Sequence, residues 1–184
     1  MQINLDRQVA RTRENLQEFR VALGQFVTGI TIVTCCDNGF PKGITANSFA
    51  SVSLDPPLVL WSPAKASRRY DAFISAQNYS IHILSNEQKH ICDAFSDNSS
   101  PFDELDWKFN EYGVPILGNY LARLDCHLHA QYPGGDHTII VGHVDYFDYK
   151  VGEPLVFKKG NFSSIAVQKT PANRSVATEK ISTI

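Results

Sequence analysis

Four groups of residues have the types and spacing to do chemistry. The first is the stretch GITANSFASVSLDPP at 43–57. Thr45 and Asn47 are two apart and share a face on a strand; Ser51 and Ser53 follow. Hydroxyls, an amide and backbone N–H groups exposed at a bend suit a ligand with ring carbonyls, ring nitrogens and a phosphate. A solvated edge strand has the same composition. The second group is Gly134-Gly135-Asp136-His137, leading directly into a β-branched run. A turn there sets Asp136 and His137 at a strand mouth, where a histidine transfers a proton or positions a bound group. An exposed hairpin histidine reads the same way. The third is His127 and His129, two apart on a strand, with His143 on a neighbour. They approach zinc-ligand spacing, but no further ligand is indicated, so ordinary hydrogen bonding and no metal centre are expected. The fourth is serine or cysteine with histidine. There is no G-x-S-x-G elbow, and nothing places Cys35 or Cys92 beside a histidine. Neither a Walker loop nor G-x-G-x-x-G occurs, and Gly134-Gly135 precedes a strand rather than opening a helix.

The elements that must position these groups follow from periodicity. Leu16, Phe19, Leu23 and Phe26 form one apolar stripe, predicting a helix over 12–26 that Thr12 caps. Residues 29–36 read as a strand, and Asn38-Gly39 as a hairpin turn. The chain returns through 42–49, kinks, and continues through SVSL to Asp55-Pro56-Pro57, where the prolines cannot donate to a ladder. A strand at 58–62 and a helix at 66–76, with Tyr70, Phe73 and Ile74 inward, come next. A strand at 78–85 leads to a capping box, Ser85 to Gln88, and a helix to 95. Residues 96–119 read as irregular. Strands follow at 120–133, 136–149 and 154–160, then a loose arm from Gln168. Six or seven strands linked by hairpins, three short helices and no βαβ rhythm predict a mainly β fold, an antiparallel barrel with helices closing its ends. The domain is placed at 12–167, between an extension at 1–11 and a tail at 168–184.

Composition narrows the classes. A chain of 184 residues, 43% hydrophobic and 11% aromatic, supports one sizeable core. A net charge of −2 gives no basic field for nucleic acid or an anionic membrane, and Arg68-Arg69 and Lys158-Lys159 read as solvated faces. The N-terminus has no secretory h-region, and no apolar run reaches membrane-spanning length. Four cysteines without C-x-x-C suggest reduced thiols and a cytoplasmic setting.

Taken together, the segments FVTGITIVT, GITANSFASVSLDPPLVLWS, KASRRYDAF, FSDNSSPFDELDWKF, GGDHTIIVGHV and PLVFKKGNF resemble, in order and spacing, the short-chain flavin reductases. These are the NAD(P)H-dependent components of two-component flavin monooxygenases, built on an FMN-binding split barrel with Greek-key-like strand order. The resemblance implies a homodimer that reduces FMN or FAD with NADH or NADPH and supplies reduced flavin to a separate monooxygenase. It implies that Thr45, Ala46, Asn47 and Ser48 meet the flavin ring and ribityl chain, with Ser53 and Leu54 along the same wall. Ser62 and Ser67, the latter at a helix start, match the phosphate region, and Phe95 a flavin neighbour. His137, with Gly135 and Asp136, matches the nicotinamide site, and Phe162 an aromatic near it. Two stretches depart from the family pattern. Asp97-Asn98-Ser99-Ser100 stands where a basic residue is common, and GNFSSI where a tyrosine and an arginine-rich turn are usual. An electron carrier of the same fold and a non-flavin barrel that binds another small molecule are the alternative readings.

Overall fold

A computed structural model describes residues 13–96 and 101–163. The extension at 1–11, the Thr12 cap, the departure at 97–100 and the tail from 168 lie outside the described residues.

Seven antiparallel strands form the main sheet: β2 (Thr31–Asp37), β3 (Phe40–Ala46), β4 (Ala50–Leu54), β5 (Pro57–Trp61), β6 (Asn78–Ile83), β9 (Ala122–Gly134) and β10 (His137–Tyr149). Their spatial order is β3-β2-β6-β9-β10-β5-β4. The two edge strands, β3 and β4, are consecutive in the chain and joined only by Asn47, Ser48 and Phe49. Laid flat, seven strands would hold their edges about 29 Å apart. Three linking residues reach at most about 14 Å. The sheet must therefore roll until its edges meet at residues 47–49. The edges do not pair, so the rolled sheet is a split barrel: strand count and hairpin rhythm predict the antiparallel barrel, and the family resemblance implies the split.

Packing on both sides of β2 holds this shape. Val33 and Cys35 face one cluster with Trp61, Phe73, Tyr79 and Ile140. Ile32 faces a second with Leu84, Phe95, Phe102 and Leu117. A strand covered on both faces is buried along its length rather than alternately, and residues 30–35 are buried without a break, Thr31 and Thr34 among them. The Trp61 ring meets Phe73 edge-on at 5.2 Å. Helix α2 (Tyr70–Ser75) carries Phe73 into the first cluster. Helix α3 (Lys89–Ser96) carries Cys92 and Phe95 into the second. A short 3₁₀ turn, Asn86–Gln88, precedes α3. There Gln88 Oε1 accepts the Ser85 N–H at 2.8 Å, the reach-back of the expected capping box. Asn38 and Gly39 hold φ of 51° and 82° at the β2–β3 turn, the left-handed pair that a two-residue hairpin needs.

Other expectations need correction. Helix α1 (Arg13–Leu23) forms, but Leu16, Phe19, Leu23 and Phe26 are 48–78% exposed, so its stripe faces away from this chain's core. The helix expected from 66 begins at Tyr70. Pro57 does join the ladder, at the first position of β5 opposite Leu54, where its missing N–H is tolerated. The segment read as irregular contains a small hairpin, β7 (Trp107–Phe109) with β8 (Pro115–Leu117); three-residue strands carry no readable alternation. The closing strand is a hairpin, β11 (Val156–Lys158) and β12 (Asn161–Ser163), paired with β1 (Thr28–Gly29). The β9–β10 ladder has two bulges, which leave His129 and Asp145 unpaired. All four cysteines are free, and burial pushes the Cys35 thiol up to about 12. Among the described residues no helix is long and apolar enough to cross a membrane.

His82 locks the second cluster to the barrel. Its ring is fully buried, Nδ1 donating to the Ile32 carbonyl at 3.1 Å and Nε2 accepting the Leu117 N–H at 3.2 Å. Burial lowers its pKa from 6.5 to about 4. A depressed histidine pKa means that the unfolded chain takes up the proton first as pH falls. The stability of neutral His82 is complete above about 6.5 and is lost as pH falls toward 4, by up to about 3 kcal/mol. Thermal melts between pH 7.5 and 4 should show this extra loss in the wild type. His82→Asn should be less stable at pH 7.5 and show a shallower decline.

Candidate functional site

The site is built where the roll closes. Thr31 Oγ1 donates to the Ala46 carbonyl at 2.8 Å and fixes the end of β3. Ser48 then bridges the split. Its Oγ accepts the Ser62 N–H at 2.9 Å and lies 3.4 Å from the Ser62 carbonyl. The connector is thereby clasped to the residue leaving β5. Asn47, between these fixed points, is exposed, and its amide bonds to no described residue. Thr45 is not free in this way. Its hydroxyl donates to the Cys92 carbonyl of α3 at 3.1 Å, so the expected outward row of Thr45 and Asn47 reduces to Asn47.

The Gly-Asp-His turn meets the same exit segment. Gly134 pairs with His137, so Gly135 and Asp136 form a two-residue turn, with Gly135 at φ 70°. Lys65 N–H donates to the Asp136 carbonyl at 2.9 Å, and Lys65 Nζ to the Gly135 carbonyl at 2.8 Å. Ala64 bridges His137. Ser62 and Ala64 are separated by at most about 7 Å of chain, so the Ser48 clasp and His137 share one short anchor. His137 Nδ1 lies 2.8 Å from Asp136 Oδ1. That bond and the histidine's charge hold the Asp136 carboxyl below its ordinary range. A carboxylate at Nδ1 favours a ring N–H there, and in that neutral tautomer Nε2 is the acceptor.

Asn47 and Ser48 line a cavity of about 1030 Å³ with residues that the sequence did not place at a site: Phe26, Thr28, Phe157 and Lys159. Thr28 Oγ1 in its wall is buried and finds no hydrogen-bond partner among the described residues. Lys159, read from sequence as solvated, is held there by its N–H to the Gly24 carbonyl and by a φ of 51° in the β11–β12 turn. The dipeptide Lys159-Gly160 carried that turn signal; nothing in the sequence marked Thr28.

Several expected site residues sit elsewhere. Ser67 does not start a helix. Its carbonyl accepts from Tyr70 N–H and its Oγ from Arg69 N–H, so it shapes the turn before α2. Arg69 is no solvated cation; it is half-buried and donates to the Phe95 carbonyl at 3.2 Å. The Phe95 ring is 1% exposed, packed on Phe102 and filling the space that a Cβ on Gly43 would need, so it offers a ligand no surface. Ser53 and Leu54 lie at the far tip of β4, past a bulge, with Leu54 95% exposed. Phe162 stacks edge-on with Phe157 beneath Lys89, at the start of α3 rather than beside His137.

The clasp makes a measurable claim. Ser48→Ala removes an acceptor from the Ser62 N–H, a loss of about 1 kcal/mol, and should lower Tm by roughly 2–4 °C. Asn47→Ala should leave Tm within error.

Residues 23–166 match the family described as flavin reductase like domain. The chain is 50% identical over 155 residues to the FMN reductase (NADH) SmoA of Agrobacterium fabrum, covering 84% of this chain and 89% of that one. It is 38% identical to the reductase subunit HsaB of a flavin-dependent monooxygenase from Rhodococcus jostii, covering 90% and 86%. The fold superposes with a TM-score of 0.81 and 34% identity on a Streptomyces globisporus NADH:FAD oxidoreductase in complex with NAD and FAD fragments, covering 86% and 98%. With most of its length matched, this chain belongs to the flavin reductase family.

Proposed function

We propose that this chain is an NADH-dependent flavin reductase that reduces FMN and releases it to a separate monooxygenase in the cytoplasm. One observation supports the site most directly. Asn47, its amide without an intramolecular partner among the described residues, and the orphaned Thr28 hydroxyl lie on one large cavity at the barrel's split. That donor and acceptor set fits the carbonyls and nitrogens of a flavin ring. The names of the relatives support NADH, and that of the 50%-identical relative supports FMN. FAD is the second reading, because Lys159 lines the same cavity and could meet a pyrophosphate.

The flavin, when bound, supplies the hydride-accepting ring. The protein's own contribution is position. Asn47 and the backbone held by Ser48 and Ala46 fix one edge of the ring. Ser62 and Arg69 would meet the phosphate end, with Ser67 shaping the turn that sets Arg69. Asp136 orients His137, whose Nε2 accepts a hydrogen bond from the nicotinamide amide and sets the distance for transfer. No side chain is required to move a proton. Neutral hydroxyls and amides meet the flavin ring without covalent attachment, which suits release.

The exposed stripe of α1 with Phe26, together with Leu54, supports a homodimer in which the second copy covers these faces. The domain at 12–167 would be the reductase unit.

Steady-state kinetics with all four flavin and nicotinamide pairings should give the highest kcat/KM with NADH and FMN; absence of turnover with every pair would sink the reading. Asn47→Ala should raise the flavin Kd at least tenfold, about 1.4 kcal/mol, with Tm unchanged. Sedimentation should show a dimer, and Phe26→Asp should shift it toward monomer.

A further inference from the structure

Well away from the split, the outer face of the β9–β10 hairpin carries a second constellation. Sequence spacing pairs His127 with His129. The structure breaks that pair, because His129 falls in the bulge opposite Val141 and Gly142. His127 instead stands directly across from His143 in the ladder, and the second bulge presents Asp145 beside both. The His127 and His143 rings stack, with centroids 4.7 Å apart and planes 26° from parallel. Each turns Nδ1 toward the same carboxylate. His127 Nδ1 lies 2.7 and 2.9 Å from the two Asp145 oxygens, and His143 Nδ1 lies 3.1 Å from one of them.

We propose that His127, His143 and Asp145 form a binding site for a divalent first-row transition ion of the zinc type. Their ligand atoms all lie within 4.8 Å of one another. A tetrahedral ion with bonds of about 2.0–2.1 Å needs its donors roughly 3.3 Å apart, near the 2.7–3.1 Å that separates each histidine Nδ1 from Asp145. An ion would take the place of the protons now shared between the rings and the carboxylate. Two imidazoles and one carboxylate favour a borderline cation over magnesium or calcium, which take oxygen ligands. Asp145 and His143 are 30% exposed and His127 47%, so an ion can enter from solvent, and water can fill the remaining position. Ligands on two paired strands are rigid, which limits the ordering cost of binding. Along β10, His143 is six residues from His137, about 20 Å. The ion would therefore clamp the hairpin at its bulges and take no part in hydride transfer.

The test uses the full chain freed of metal with a chelator, then titrated with Zn²⁺ or Co²⁺ alone. Calorimetry should give saturable binding of one ion per chain, and Co²⁺ should develop visible d–d bands of low coordination number. At a hundredfold excess over Kd, Zn²⁺ should raise Tm by roughly 5–10 °C. His127→Ala, His143→Ala and the near-isosteric Asp145→Asn should each weaken binding more than tenfold, while His129→Ala binds as wild type. NADH oxidation with added FMN reports that each variant is folded, and should be unchanged in all four. No saturable binding by either ion would overturn the proposal. So would binding that survives in His143→Ala and Asp145→Asn, or that His129→Ala abolishes equally.

Discussion

Everything in this molecule hangs on a three-residue connector. Asn47, Ser48 and Phe49 join the two edges of a seven-stranded sheet, and their short reach leaves the sheet no choice but to roll. The edges are brought near without being laddered together. Backbone and side-chain groups at the split then need partners from somewhere else. Ser48 finds one in the backbone of Ser62, and Thr31 supplies one for Ala46. Asn47 finds none within the described chain. A barrel closed by β-pairing would have bonded these backbone groups in its ladder; a split one leaves Asn47 open to a partner from outside the chain.

The two halves of the proposed site share one anchor. Ser62 receives the clasp from the connector. Pro63 and Lys65, just after it, receive the β9–β10 turn through three hydrogen bonds, two of which make the Ala64–His137 bridge. Each is worth about 1 kcal/mol net, so no single one decides whether the domain folds. Together they decide where His137 stands relative to Asn47. That division matters for a hydride transfer, where small displacements of the reacting atoms cost far more in rate than in stability. Tyr70, whose hydroxyl lies 2.6 Å from Thr138 Oγ1, braces the same strand from α2.

What the sequence made legible was local chemistry. Asn38-Gly39, the Ser85–Gln88 box and Gly135-Asp136 are short signals whose backbone conformations follow from residue type, and they appear as read. What stayed hidden depended on neighbours distant in the chain. Thr45 and Asn47 have the same spacing and similar polarity, yet α3 consumes one hydroxyl and leaves the other residue free. Phe95 occupies a helix position that could face either way; the missing side chain of Gly43 decides it, by making room for the ring. His129 and Asp145 exchanged roles because bulges interrupt a period of two; Gly142 at the first is the kind of strand glycine that marks one, while no glycine stands at the second.

The α1 stripe is the most informative departure. Its periodicity is sound, the helix forms, and the apolar side chains still meet no core of their own. Covering a fully exposed Leu or Phe side chain is worth roughly 1.5–3 kcal/mol, so covering what is exposed of the four along one stripe would favour an association that hides them. Sequence periodicity reports that a face is buried, not which chain buries it. Phe26 at the end of that stripe also lines the cavity with Asn47. A cover placed over the stripe would therefore sit at the mouth of the proposed flavin site. On that geometry, completing the hydrophobic face and completing the pocket are one event, and a flavin would be held at a contact between copies rather than within one.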